Sequence, residues 1–198
     1  MDRNRELDHL LEKMVADYLR HNSAAMVLKE MLDQVGIGFT PVIDHVTLRT
    51  KGIDRRAEPF VALGYAYDKT LEFDDWYAKV YRKSGYPALF VDQAYPDDRG
   101  KTSIIPGWVN RFGDQAFHHV AVRVEDIEQA IERLKNHGVV FAGKIVGSPG
   151  DQLRQIFSAP EMVDGQPFSV LELAERHRGY QGFLPPQADS LMKSSAGR

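Results

Sequence analysis

Two histidines head two closely similar stretches of this chain: Asp44-His45-Val46-Thr47-Leu48-Arg49 returns as His118-His119-Val120-Ala121-Val122-Arg123. Side chains alternate along a strand, so His45, Thr47 and Arg49 share one face while Val46 and Leu48 share the other. The same alternation sets His119, Ala121 and Arg123 against His118, Val120 and Val122. Each strand offers one imidazole and one guanidinium on its polar side, a pattern suited to a metal ion with an anionic ligand. Glu172 adds a carboxylate on a later strand, on the face of Phe168 and Val170. Two imidazoles and one carboxylate form the facial set that leaves coordination sites open, typically on Fe(II); Zn²⁺, Mn²⁺ and Ni²⁺ suit the same donors.

Each residue also has an ordinary structural alternative. A lone strand histidine is commonly a satisfied polar group; it is the match in face and repeat position that makes His45 and His119 ligand candidates. A buried Glu172 is costly unless paired or metal-bound, and Arg154 or Arg176 could pair it. Arg49 is a candidate anchor for a substrate carboxylate, because a guanidinium fork matches that group. An ion pair with Asp92 or Glu72 is the alternative for Arg49 and more so for Arg123. Gln155 could orient a carbonyl or simply pair across the sheet. His118 points away from the polar face, and His137 and His177 read as helix-end or surface residues.

These residues need elements to position them. Leu7, Leu10, Leu11, Met14, Val15, Tyr18 and Leu19 recur at helical spacing, giving a first amphipathic helix to about Asn22. Ser23 caps a second helix, ending at Gly36. A first module follows: a strand near 42–50, a short helix at 59–63 started late because Pro59 suits a first turn, and strands near 70–73, 77–82 and 88–93. The second repeats that order, with a strand at 117–124, a helix at 126–137 and strands near 139–146, 153–158 and 168–174. The predicted class is α+β: paired βαβββ modules forming a cup-shaped mixed sheet, with an N-terminal helical pair. The expected divisions are 1–38 (helices), 39–95 (first module), 96–116 (linker and crossover), 117–176 (second module) and 177–198 (C-terminal segment), with a short helix at 188–193.

Bulk composition narrows the partners. With 198 residues and 43% hydrophobic content, the chain can bury one sizeable core or two modules sharing one. A net charge of −3 without a Lys/Arg run argues against a nucleic-acid surface. The lack of cysteine removes disulfides, thiolate zinc sites and a Cys nucleophile. No apolar run approaches the roughly 18 residues that span a bilayer, so no membrane partner is expected and the cytoplasm is the expected location.

Residues 40–175 resemble the vicinal oxygen chelate superfamily, which includes glyoxalase I and extradiol dioxygenases. In the second module, His118-His119-Val120-Ala121-Val122, Leu153-Arg154-Gln155-Ile156-Phe157-Ser158-Ala159-Pro160 and Val170-Leu171-Glu172-Leu173-Ala174-Glu175-Arg176 followed by Gly182-Phe183 resemble the 4-hydroxyphenylpyruvate dioxygenase family. The helical amino terminus leading into His45-Val46-Thr47-Leu48-Arg49-Thr50 resembles the 2-oxoadipate dioxygenase/decarboxylase family. By resemblance, His45, His119 and Glu172 are Fe(II) ligands, Arg49 holds a substrate carboxylate, and Phe183 stands before a gating helix. This chain is shorter than members of either enzyme family.

The expected function is that of a non-haem Fe(II) dioxygenase that takes a small carboxylate substrate, a 2-oxo acid, together with O₂, by oxidative decarboxylation and hydroxylation. Arg49 and Gln155 orient the substrate in a dry cup closed by Phe183 and the final helix. Two readings stand beside it. A glyoxalase-type isomerase, lyase or hydrolase would take a fourth ligand from the first module, where Asp92 and Gln93 are available. A non-enzymatic binding protein of the same fold would lack a working triad. Paired-module folds often dimerise, which makes a homodimer an expected assembly.

Overall fold

The computed structural model describes residues 2–184; the helix expected at 188–193 lies outside them. The fold is α+β, with its helices and strands in two compact units. Residues 2–18 and His45–His118 form the first; Leu19–Asp44 and residues 119–184 form the second.

In the first unit the strands β1 (Ile43–Arg49), β2 (Ala66–Glu72), β3 (Trp76–Arg82) and β4 (Ala88–Ala94) stand in the order β2-β3-β4-β1. β4 runs parallel to β1, and β2 and β3 complete an antiparallel meander. The long helix α1 (Arg3–Arg20) presents Asn4 to Lys83 at 2.9 Å and Asp8 to the Tyr86 hydroxyl at 2.9 Å, both at the β3–β4 hairpin.

Helix α3 spans Ile53–Ala62 and starts six residues before the position expected from Pro59, which lies inside it. Three interactions outweigh the proline. Gln93 Oε1 accepts the Ile53 amide at 2.9 Å, Thr50 Oγ1 accepts the Gly52 amide at 3.1 Å, and Ile53, Ala57 and Phe60 bury one face. Pro59 is on the exposed side, where its missing N–H costs one helical bond and no packing. The crossover carries its own helix, α4 (Ile105–Phe112), with Pro106 in the first turn and Trp108 buried.

The second unit repeats this plan. β5 (Phe117–Val124), β6 (Phe141–Val146), β7 (Leu153–Ser158) and β9 (Gln166–Arg176) follow the order β5-β9-β7-β6, and a short β8 (Glu161–Val163) pairs with β9. β5 and β9 are parallel, like β1 and β4. Helix α5 (Ile127–Asn136) is capped by Asp126, whose side chain accepts the Gln129 amide at 2.9 Å, while Glu175 Oε2 takes the Ile127 amide at 2.7 Å. Gln93 and Glu175 therefore do the same work in the two units: each lies at the end of a parallel strand and satisfies the first amide of the helix that follows its neighbour.

Helix α2 (Ser23–Gln34) belongs to the second unit and is capped by Asn22, not by Ser23. Asn22 Oδ1 accepts the Ala25 amide at 2.9 Å and its Nδ2 donates to Ser169 Oγ at 3.1 Å, tying the helix to β9. Ser23 turns to Glu161, its amide donating to Glu161 Oε1 at 2.8 Å. No described helix is long and apolar enough to cross a membrane.

Candidate metal-binding site

In the second unit, parallel register sets Ala121 beside Glu172 and His119 beside Val170, and antiparallel register sets Phe157 beside Glu172. His119, Phe157 and Glu172 thus share one face. His119 Nε2 lies 3.3 Å from Glu172 Oε2, and Glu172 is 1% exposed. The Gln155 amide donates to the other carboxylate oxygen, Oε1, and the Phe157 ring sits 5.1 Å from the His119 ring. Gln155, expected to face a substrate carbonyl or to pair across the sheet, takes Glu172 as its partner.

The two arginines that might have neutralised Glu172 are engaged elsewhere. Arg154 points to the opposite face, where it pairs with Glu128 and with Glu175 at 3.4 Å. Arg176 gives the Nε/Nη2 edge of its guanidinium to the two Asp44 oxygens, at 2.7 and 2.8 Å. A buried carboxylate beside an imidazole, steadied by an amide, is the donor chemistry that suits a divalent cation.

The first unit offers the equivalent strand with different neighbours. His45 is buried, with its ring 5.1 Å from that of Phe90. Thr47 stands beside Phe90 and Arg49 beside Asp92. Phe90 therefore fills the register position that Glu172 fills in the second unit, so the first unit has no carboxylate there. Asp92 is one pleat further along, and Gln93 is used at the α3 amino terminus.

Arg49 and Asp92 are both buried, and Arg49 Cζ lies 5.7 Å from the Trp108 ring. Burial pushes the Asp92 carboxyl up to about 7, against the pull of Arg49 and then His45; burial also lowers Arg49 to about 10, against the pull of Asp92. Asp92 Oδ1 is buried without a hydrogen-bond partner among the described residues. The alternative partners that the sequence suggests for Arg123, Asp92 and Glu72, are corrected by the structure: with Ala174 beside it, Arg123 turns to Asp44 Oδ1 at 2.9 Å, its side chain 49% exposed.

Three other histidines make contacts away from Glu172. His118 packs edge-on against Trp108 at 5.8 Å, and His137 Nδ1 meets the Arg133 carbonyl at 2.9 Å. His177 pairs with Glu175 at 2.5 Å. Phe183 is half-buried, with its ring 4.6 Å from Arg176 Cζ.

Comparison with known proteins identifies the family. The model for the Glyoxalase/Bleomycin resistance protein/Dioxygenase superfamily matches residues 44–157, more than half of the chain. The chain belongs to this superfamily. No curated protein sequence matches it. Among solved structures, the superfamily fold recurs in the hydroxyglutarate synthase of Oryza sativa in complex with 2-oxoadipate. That match has a TM-score of 0.81 and 17% identity, and covers 98% of this chain and 93% of that one. A Shewanella frigidimarina protein assigned as a hydrolase matches with a TM-score of 0.75 and 20% identity over 90% of this chain and 97% of its own. The 4-hydroxymandelate synthase of Streptomyces coelicolor matches with a TM-score of 0.63 and 17% identity over 81% of this chain and 56% of its own. At these identities the likeness is one of fold.

Proposed function

We propose that this superfamily member is a non-haem Fe(II) dioxygenase acting on a 2-oxo acid, with His45, His119 and Glu172 as the three protein ligands of one ion. The observation that carries the reading is the buried Glu172 carboxylate beside His119, with Gln155 on its other oxygen. A bound ion with three protein donors supplies open sites where a 2-oxo acid and O₂ meet. The rice synthase holds 2-oxoadipate, which makes 2-oxo acids the first class to test.

In this reading the chain's own residues bind, orient and exclude water. Gln155 fixes the Glu172 carboxylate in one orientation, and Phe157 limits the His119 ring. Arg49, backed by Trp108, offers its guanidinium to the substrate carboxylate, and the carboxyl of Asp92 moderates that charge. Phe183 supplies an apolar cover that limits water.

Phe90 favours this reading over a glyoxalase-type site. A fourth protein ligand from the first unit would be expected at its position, and a phenyl ring cannot coordinate.

The test is elemental analysis of protein purified from iron-replete cells without chelator, alongside Glu172→Ala, followed by O₂ uptake with a panel of 2-oxo acids. Iron near one equivalent that disappears in Glu172→Ala, with O₂ uptake only when a 2-oxo acid is present, is the expected result. Bound metal without O₂ uptake across the panel would overturn the dioxygenase in favour of redox-neutral chemistry, and metal-free protein would overturn the site.

A further inference from the structure

The carboxyl end of β9 holds an arrangement that the metal-site reading does not use. After Arg176 the chain reverses through His177–Tyr180, with Arg178 at φ 53° and Gly179 at φ 69° and the Tyr180 amide donating to the His177 carbonyl at 3.0 Å. Positive φ at both central residues is the mark of a type I′ turn, which folds a chain back along the strand it has left. The return carries Gly182 beside Arg176, where Nη1 donates to the Gly182 carbonyl at 2.7 Å. A β-carbon at 182 would meet the outer end of the Tyr180 ring, which would have to move aside.

The guanidinium is used on every side. Nε and Nη2 grip the two Asp44 oxygens, Nη1 holds the returning backbone, and the Phe183 ring lies 4.6 Å from Cζ. Both charged side chains are buried, Arg176 4% and Asp44 2% exposed. An ion pair alone would occupy only the Asp44 side of the fork, yet its remaining edge and its planar face both meet residues beyond the sheet. Strand alternation puts Arg176 on the same face as Ala174 and Glu172.

We propose that Arg176, anchored by Asp44, is a positioning residue that clamps Gly182 and sets Phe183 over the Glu172-bearing face of the second unit. The inference rests on the proposed function for its purpose, since Phe183 there limits water at a bound substrate. The clamp itself depends only on contacts within the second unit.

The experiment compares Arg176→Leu, Arg176→Lys, Asp44→Asn, Phe183→Ala and the double variant Arg176→Leu/Phe183→Ala in the full-length, metal-loaded protein. Chymotryptic cleavage after Tyr180 and Phe183, read by mass spectrometry, reports the clamp; calorimetric binding of 2-oxoadipate reports its consequence. Cleavage is expected to speed up at least tenfold in Arg176→Leu. It should also speed up in Arg176→Lys, which keeps a charge opposite Asp44 but lacks the planar fork and so still folds with its ion pair. Metal content should not change. Arg176→Leu and Phe183→Ala should each weaken 2-oxoadipate binding, and the double variant should be no weaker than the worse single one, because both remove one arrangement. Unchanged cleavage in both Arg176 variants would overturn the clamp. Additive losses in the double variant would overturn its action through Phe183. Faster cleavage in a protein whose parent form binds no 2-oxo acid would leave the clamp standing and overturn the proposed function.

Discussion

Asp92 stands beside Arg49 in the parallel β1–β4 pair, and the two charged side chains are 3% and 2% exposed. The second unit has Ala174 at the matching place, and its arginine, Arg123, swings out to Asp44. One repeat thus buries a guanidinium against a carboxyl, while the other leaves its guanidinium half-exposed. That difference gives the first prediction.

The Asp92 carboxyl is raised by burial from the ordinary carboxylate range to about 7. A group whose folded value is raised binds more protons in the folded than in the unfolded chain between the two values. Its contribution is therefore full below pH about 4 and is lost as pH rises to about 7. In metal-free protein, the stability of wild type relative to Asp92→Asn should fall by a few kcal/mol across that window. Urea melts at unit pH intervals measure this, and a flat difference would remove the prediction.

Gln155 steadies the proposed ligand Glu172 from the adjoining strand, and its own backbone pairs normally in β7. Gln155→Ala should keep the fold and weaken metal binding about 10–100-fold, the usual cost of removing a hydrogen-bond partner from a ligand. Competition against a chromophoric chelator gives the affinity directly. An unchanged value would mean that Glu172 is not a ligand or that the amide does not orient it.

Pro59 sits inside α3 on its exposed side. Pro59→Ala should restore a backbone donor without disturbing the buried Ile53, Ala57 and Phe60, and stabilise the protein by about 1–3 kcal/mol. Thermal unfolding should show a higher midpoint; a lower one would point to a role for the ring that the helix geometry does not reveal.

Asn22 does two jobs, capping α2 and reaching Ser169 in β9. Asn22→Ala should cost roughly 2 kcal/mol, about half from the lost cap and half from the polar group left behind. Asn22→Asp keeps the acceptor for the Ala25 amide and should recover the cap share alone. Chemical denaturation of both variants separates the two.

Much of this architecture was legible because periodicity is strong where one face is buried. β5 spans the expected residues, Phe117–Val124, and so does β7 at Leu153–Ser158, although both faces of β7 are buried. What the sequence hides is local and physical. Pro59 suits a first helical turn, whereas the Gln93 acceptor that starts α3 at Ile53 is distant in sequence and so invisible there. The short β8–β9 hairpin lies outside the expected strands, although Asp164-Gly165 marks it, both residues taking positive φ in a two-residue turn. For the candidate site, repeat position picked out His119 as a neighbour of Glu172. What single residues cannot disclose is partner choice: Arg123 and Arg176 both turn to Asp44, a competition decided by tertiary placement.

On the proposed function, the substitution of a phenyl ring for a carboxylate between repeats divides dependence on the ion unequally. Phe90 leaves the first unit with an apolar filler whose packing needs no polar partner, whereas Glu172 leaves the second with a buried carboxyl group. Chelation should therefore loosen the amides of β5, β7 and β9 in hydrogen exchange well before those of β3 and β4, so that loss of the proposed ion would turn one half of a duplicated protein into its weak point.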